Sequence, residues 1–315
     1  MVNTLDNKAK IPMEKPPPDL ADVAYGSHER HVIDFWHPHK PGHDPAPLVV
    51  YIHGGGFKSG DKTKLPAHLL RLCLEAGFAV AAINYRLSNE VTFPAFMHDA
   101  GRAIQFMRSK AAEWHINAER IAATGGSAGG GISLWLAFHP DLADPTSPDP
   151  VARQSTSLTC VGAVNTQCSY DPLFYQEIGL APATVHSFML PFYGLSVDQM
   201  DTPEARRLFK EAAPMTWFHA CGPPVFLYYN WSDEPLPAEA NLVMGAITGH
   251  TEINMDPQLK KTLLSWAIHH PKMGKIIKEK LTALGVECEL HIVTPEQTAE
   301  MQVKMVEFFK RHMMK

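Results

Sequence analysis

Short apolar runs, each closed by glycine, proline or charged residues, alternate along this chain with longer stretches whose apolar residues recur at helical spacing. HVIDFWHP (31–38), PLVVYI (47–52), FAVAAINYRL (78–87), ERIAATGGS (119–127), SLTCVGAVN (157–165), PPVFLYYN (223–230) and VECELHIV (286–293) read as strands. In FAVAAINYRL the apolar positions are continuous, which implies a sheet covered on both faces. The pattern in 98–114, 271–285 and 300–312 has the three-to-four spacing of a helix with one buried face. Strands that alternate with helices predict an α/β architecture: a mostly parallel sheet, right-handed crossovers and helices on both faces.

Two stretches break that rhythm. Residues 170–217 are rich in Phe, Pro, Tyr and Met and read as a modest cap inserted between two strands. Residues 231–271 form a long excursion between the strand PPVFLYYN and its following helix, and long excursions in a compact domain are commonly functional. Residues 1–22 are polar and proline-rich and read as an N-terminal arm, leaving 23–315 as one domain.

Composition narrows the partners. The chain has 315 residues, 45% of them hydrophobic and 19% charged, enough for a substantial core. A net charge of -5 with no run of basic residues argues against a nucleic-acid partner. The five cysteines (Cys73, Cys160, Cys168, Cys221 and Cys288) include no CxxC pair and read as buried thiols. No apolar run reaches the roughly 18 residues of a membrane span. The N-terminal sequence lacks the apolar core of a secretory leader, so the expected location is cytoplasmic unless a leader has been trimmed.

The candidate chemistry lies in two glycine clusters. Gly125-Gly126-Ser127-Ala128-Gly129 fits G-x-S-x-G between a strand and a helix, the context of a nucleophile elbow. There the serine occupies a strained turn, and small neighbours let strand and helix pass closely. A glycine-rich helix start could also be purely structural. The second cluster, HGGGF (53–57), makes that less credible, because it follows the strand PLVVYI and can aim backbone N–H groups at a substrate oxygen. Gly55 and Gly56, with the N–H of Ala128, would form an oxyanion hole.

With HGGGF, NYRLS, FPAFMHDA and GGSAGGG in this order, the sequence resembles the hormone-sensitive-lipase-like branch of the α/β-hydrolase esterases. The likeness is specific from about residue 48 to 136. It implies the α/β-hydrolase fold, Ser127 as nucleophile, the oxyanion donors just named, and His53 as a loop organiser rather than a base. It also exposes two departures. Asn84 stands where the family commonly has Asp before Tyr-Arg-Leu, and the expected acid falls in NWSDEPLP, on Glu234 or on Asp233 one residue earlier.

The base departs further. The family carries its histidine in the loop after the last strand, but here that loop reads TPEQTAEM and contains none. His291 lies inside the strand and His312 at the end of the final helix. A replacement is expected from HHP, with His270 favoured over His269, and His250 behind both; the alternatives are a site without a base or a misassigned strand. A triad is defined by geometry, so a change of chain position is tolerable. His37, His39 and His43 complete no recognised metal signature. The expected activity is a serine carboxylic-ester hydrolase without cofactor or metal, acting on short acyl or acetyl esters, carbohydrate-linked ones included. The rival readings are a base-deficient binding protein on the same scaffold and a hydrolase of another acyl bond such as an amide.

Overall fold

The computed structural model describes residues 14–40, 42, 44–180, 184–233 and 257–314. Eight strands form a single sheet: β1 (Leu20–Ala24), β2 (Val32–Trp36), β3 (Ala46–Ile52), β4 (Ala79–Ile83), β5 (Ile116–Gly126), β6 (Cys160–Val164), β7 (Val225–Tyr229) and β8 (Cys288–Ile292). Their spatial order is β1-β2-β4-β3-β5-β6-β7-β8. The hairpin β1–β2 is antiparallel and meets β4 antiparallel; every pairing from β4 through β8 is parallel. The expected α/β-hydrolase fold, a mostly parallel sheet between helical layers, is the fold observed. One strand lies where none was read from the sequence: β1 begins at Leu20, inside the stretch taken as an arm. Its burial is slight because it is the sheet's edge, so it carries little apolar signal.

The parallel strands are buried on both faces, as β3 illustrates. Leu48, Val50 and Ile52 point into one core, while Val49 and Tyr51 point into the other. This is the two-residue period of a strand read against two covered faces. The helices are α1 (Ala67–Glu75), α2 (Ala95–Ser109), α3 (Ala128–Phe138), α4 (Pro172–Glu177), α5 (Thr184–Tyr193), α6 (Pro203–Ala212), α7 (Pro257–His269), α8 (Lys272–Ala283) and α9 (Thr298–Met313). α2, α3 and α8 contribute to the core on one face, through Ile104, Ile132 and Ile277 among others. α1 and α9 cover the opposite face through Leu70, Met305 and Phe309. α4, α5 and α6 lie between β6 and β7 in sequence, the stretch read as a cap, and bury Tyr175, Phe192 and Phe209. Four cysteines are buried and Cys221 is exposed; all five are free thiols.

Candidate active site

Strand β5 runs into α3 through a single turn, and Ser127 is the residue that makes it. Its backbone sits at φ +52° and ψ −122°, a region that a residue with a side chain occupies only when its surroundings hold it there. The Ser127 N–H donates to the Val164 carbonyl at 2.8 Å, and the Ser127 carbonyl accepts from the Gly131 N–H at 3.0 Å. The small neighbours are required by close approach. A Cβ on Gly129 would lie 2.0 Å from the Ile52 carbonyl oxygen, and one on Gly125 would lie 2.3 Å from the same atom. Any larger residue would push β5, α3 and β3 apart.

The second glycine cluster follows β3. Gly55 has φ +120° and Gly56 φ +60°. Beyond the turn the loop is anchored by Phe57, which is buried against Phe96, Tyr170 and Phe192. Gly56, Ser127 and Ala128 share the lining of one pocket, and Gly55 faces Ser127 across an adjoining cleft. Ala128 is the first residue of α3, so its N–H has no acceptor within the helix. The helix N-terminus adds a partial positive charge behind it.

The imidazole that meets the serine belongs to His269. Its Nε2 lies 2.9 Å from Ser127 Oγ. His269 is the last residue of α7, inside the long excursion after β7 rather than in the loop after the final strand. The choice of His270 over His269 is corrected here. Neighbouring residues around a helix end point in different directions, so only one of the pair can face the serine. The His270 ring turns instead to the next helix, where its Nδ1 accepts from the Lys272 N–H at 3.0 Å, and it meets Trp266 edge-on.

Burial holds the His269 ring near pKa 4, opposed by the backbone carbonyl of Ser265 one turn earlier. The ring is therefore neutral at physiological pH, with Nε2 free to accept the serine proton and Nδ1 carrying its own. Nδ1 is buried and makes no well-formed hydrogen bond among the described residues. Asp233, one of the two expected acids, instead forms an ion pair with Lys275. Its partner in that expectation, Glu234, lies outside the described residues, as does His250. Two contacts that the sequence does not announce hold His269 in place. Trp231 stacks on His269, with ring centroids 5.5 Å apart and planes 27° apart. Gln167 donates to the Ile268 carbonyl at 2.6 Å, tying the end of α7 to the loop after β6. A Trp immediately before the acid motif was the one available signal; Gln167 gave none.

Two spaces open from Ser127. The first is a small pocket walled by Phe57, Gln167, Tyr170, Met189, Phe192 and Ile268. The second, broader and open to solvent, is lined by Ser59, Lys64, Asn165, Trp231 and His269. The first is confined, and the second is broad and carries the polar side chains of Ser59, Lys64 and Asn165 on its walls. Among the described residues there is no cluster of three or more His, Cys, Asp or Glu side chains able to hold a metal, and no helix is long and apolar enough to cross a membrane.

The chain is similar to several known proteins. A family model described as BD-FAE matches residues 33–173, which include both glycine clusters but not His269. The chain is 29% identical over 222 residues to the probable carboxylic ester hydrolase LipM of Mycobacterium tuberculosis, covering 69% of this chain and 49% of that one. It is 28% identical over 231 residues to the esterase LipQ of the same organism, covering 72% and 52%. The chain thus spans about half the length of these curated relatives. Among solved structures, a truncated carbohydrate esterase from gut microbiota superimposes with a TM-score of 0.68 at 18% identity, covering 95% of this chain and all of that one.

Proposed function

We propose that this chain, an α/β hydrolase of the esterase-like kind, is a serine carboxylic-ester hydrolase that works through an acyl-enzyme. The observation that carries the reading is the 2.9 Å contact between Ser127 Oγ and His269 Nε2 beneath two glycine-built sets of N–H donors. His269 takes the proton as Ser127 Oγ attacks the ester carbonyl. The N–H groups of Gly55, Gly56 and Ala128 hold the negative charge that develops on the carbonyl oxygen. His269 then returns the proton to the leaving alcohol, and water, deprotonated by the same ring, releases the acid and restores the serine.

The two spaces divide the substrate between them. The smaller pocket suits a short acyl group, because there is little room between Ser127 and the Met189 and Phe192 side chains that share its lining. The broad cleft, with Ser59, Lys64 and Asn165 on its walls, suits a larger, hydroxyl-rich alcohol, in keeping with the carbohydrate esterase among the structural neighbours. An acetyl or similarly short ester on a sugar is the substrate class this division favours.

The test is covalent labelling joined to turnover. An organophosphonate should modify Ser127 in wild type. Ser127→Ala should lose both the label and p-nitrophenyl acetate hydrolysis, while esters with long acyl chains should be poor substrates. Hydrolysis by Ser127→Ala at the wild-type rate would reject the assignment.

A further inference from the structure

The oxyanion loop runs from His53 to Gly60, and its two ends are held by one side chain from elsewhere in the chain. Arg30 lies in the turn between β1 and β2. Its Nη2 donates to the Gly60 carbonyl at 3.0 Å and approaches His53 Nε2 at 3.2 Å. Its Nε donates to the Tyr85 carbonyl at 2.7 Å. The guanidinium therefore bridges the first and last residues of the loop and fastens both to the end of β4.

The tautomer of His53 follows from this contact. Arginine only donates, so His53 Nε2 must accept and the ring proton must sit on Nδ1. That proton points to the Gly54 carbonyl 2.8 Å away. Burial, helped by the Arg30 charge, keeps His53 neutral with a pKa near 4, so the arrangement persists at physiological pH. The ring is further stacked on Tyr85 at 4.3 Å, and the Tyr85 hydroxyl donates to the His53 carbonyl at 2.9 Å. Gly60 admits no alternative packing here: a Cβ would fall 2.2 Å from the Gly54 oxygen and 2.4 Å from His53 Nδ1. The bonds to the His53 and Gly54 carbonyls orient the two peptide units that lead into Gly55, and the bond to Gly60 fixes the far end of the loop, so the Gly55 and Gly56 N–H groups are held from both sides.

We infer that Arg30 is a positioning residue of the oxyanion hole: by joining His53 to Gly60 it sets the direction of the Gly55 and Gly56 N–H groups. The inference rests on the esterase reading for its catalytic consequence but not for the clamp itself. A lysine at this position could reach one acceptor but not three, because it lacks the planar fork.

The experiment compares Arg30→Lys and Arg30→Ala with wild type. Turnover of p-nitrophenyl acetate should fall about 10- to 100-fold, less than or comparable to the loss of one oxyanion donor, with KM within about threefold. A boronic acid, which mimics the tetrahedral adduct, should lose affinity by a similar factor. The pH midpoint should not move, since His269 is untouched. Guanidinium chloride at low concentration should restore part of the turnover in Arg30→Ala, which a merely unfolded variant would not permit. Hydrogen exchange should quicken at the amides of residues 54–60 in both variants. If Arg30→Ala does not fold, Arg30→Lys decides alone. Unchanged exchange at 54–60 in the lysine variant, or turnover within twofold of wild type, overturns the clamp. Should wild type hydrolyse no ester, the function proposed above fails, while exchange at 54–60 still decides the role of Arg30.

Discussion

His269 presents one nitrogen to Ser127 and leaves the other without a carboxylate among the described residues, and this combination has a measurable signature in acid. Only the neutral ring can accept the serine proton, and burial holds its pKa near 4 rather than at the ordinary 6.5. The pH profile of kcat/KM should therefore rise with a midpoint near 4 and be flat by pH 6; a midpoint near 6.5 would show a solvated base. Replacing His269 by Ala should lower turnover by about a thousandfold, whereas Asp233→Asn should leave it within about threefold, because Asp233 is engaged by Lys275. The same burial bears on stability. Between pH 6.5 and 4 an unfolded chain takes up protons at His269 and His53 that the folded one refuses, so stability should fall as pH drops through that window and level off below 4. A thermal melt series would register it. The sequence made the turn at Ser127 and the glycine loop after β3 legible because backbone shape selects glycine at those positions. It could not choose between His269 and His270, since one residue of helix phase decides which ring faces the serine, and that phase is set by Pro271 and by packing around α7. Nor could it show Gln167 or Trp231 as supports, because a side chain that steadies a catalytic group carries no motif of its own.

At the scale of elements, the decisive geometry is the crossing of β5, α3 and β3 at Gly125 and Gly129. Two backbones meet there with no side chain between them, so the contact cannot relax by changing a rotamer. Gly129→Ala should destabilise the fold by about 3 kcal/mol or more, the upper range for overpacking, as measured by urea unfolding. Near-wild-type stability would mean that α3 can shift away from Ile52 at little cost. The strands were legible because the parallel pairs bury both faces, giving unbroken apolar runs such as FAVAAINYRL. β1 was not, because an edge strand with one exposed flank does not need apolar residues to pair with β2. The departure at Asn84 also acquires a reason in its surroundings. Its side chain accepts from the Lys62 N–H at 2.6 Å and donates to Asp61 at 2.7 Å, so the amide serves two partners at once where a carboxylate could only accept.

For the whole molecule, the path of the chain separates machinery from scaffold. Arg30, the glycine loop, Ser127 and His269 all precede residue 270, whereas β8 and α9 come after it and, among the described residues, line neither space beside Ser127. The imidazole that meets Ser127 comes from the connection before β8 rather than from the loop behind it, and nothing in the apolar pattern distinguishes the two. The arrangement has a consequence for the chain while it is being made. When the ribosome has delivered every reacting group, β7 still has no neighbour on its outer side, and its sequence VFLYY is wholly apolar. Until β8 emerges, this row of unpaired peptide groups is open to any extended segment nearby, including another nascent copy. A stop at residue 285 would thus yield a chain that holds all its chemistry and is recovered mainly in the insoluble fraction; soluble, active protein from that truncation would show that β7 can stand as an edge. The last 30 residues act, in effect, as a built-in chaperone for the strand before them.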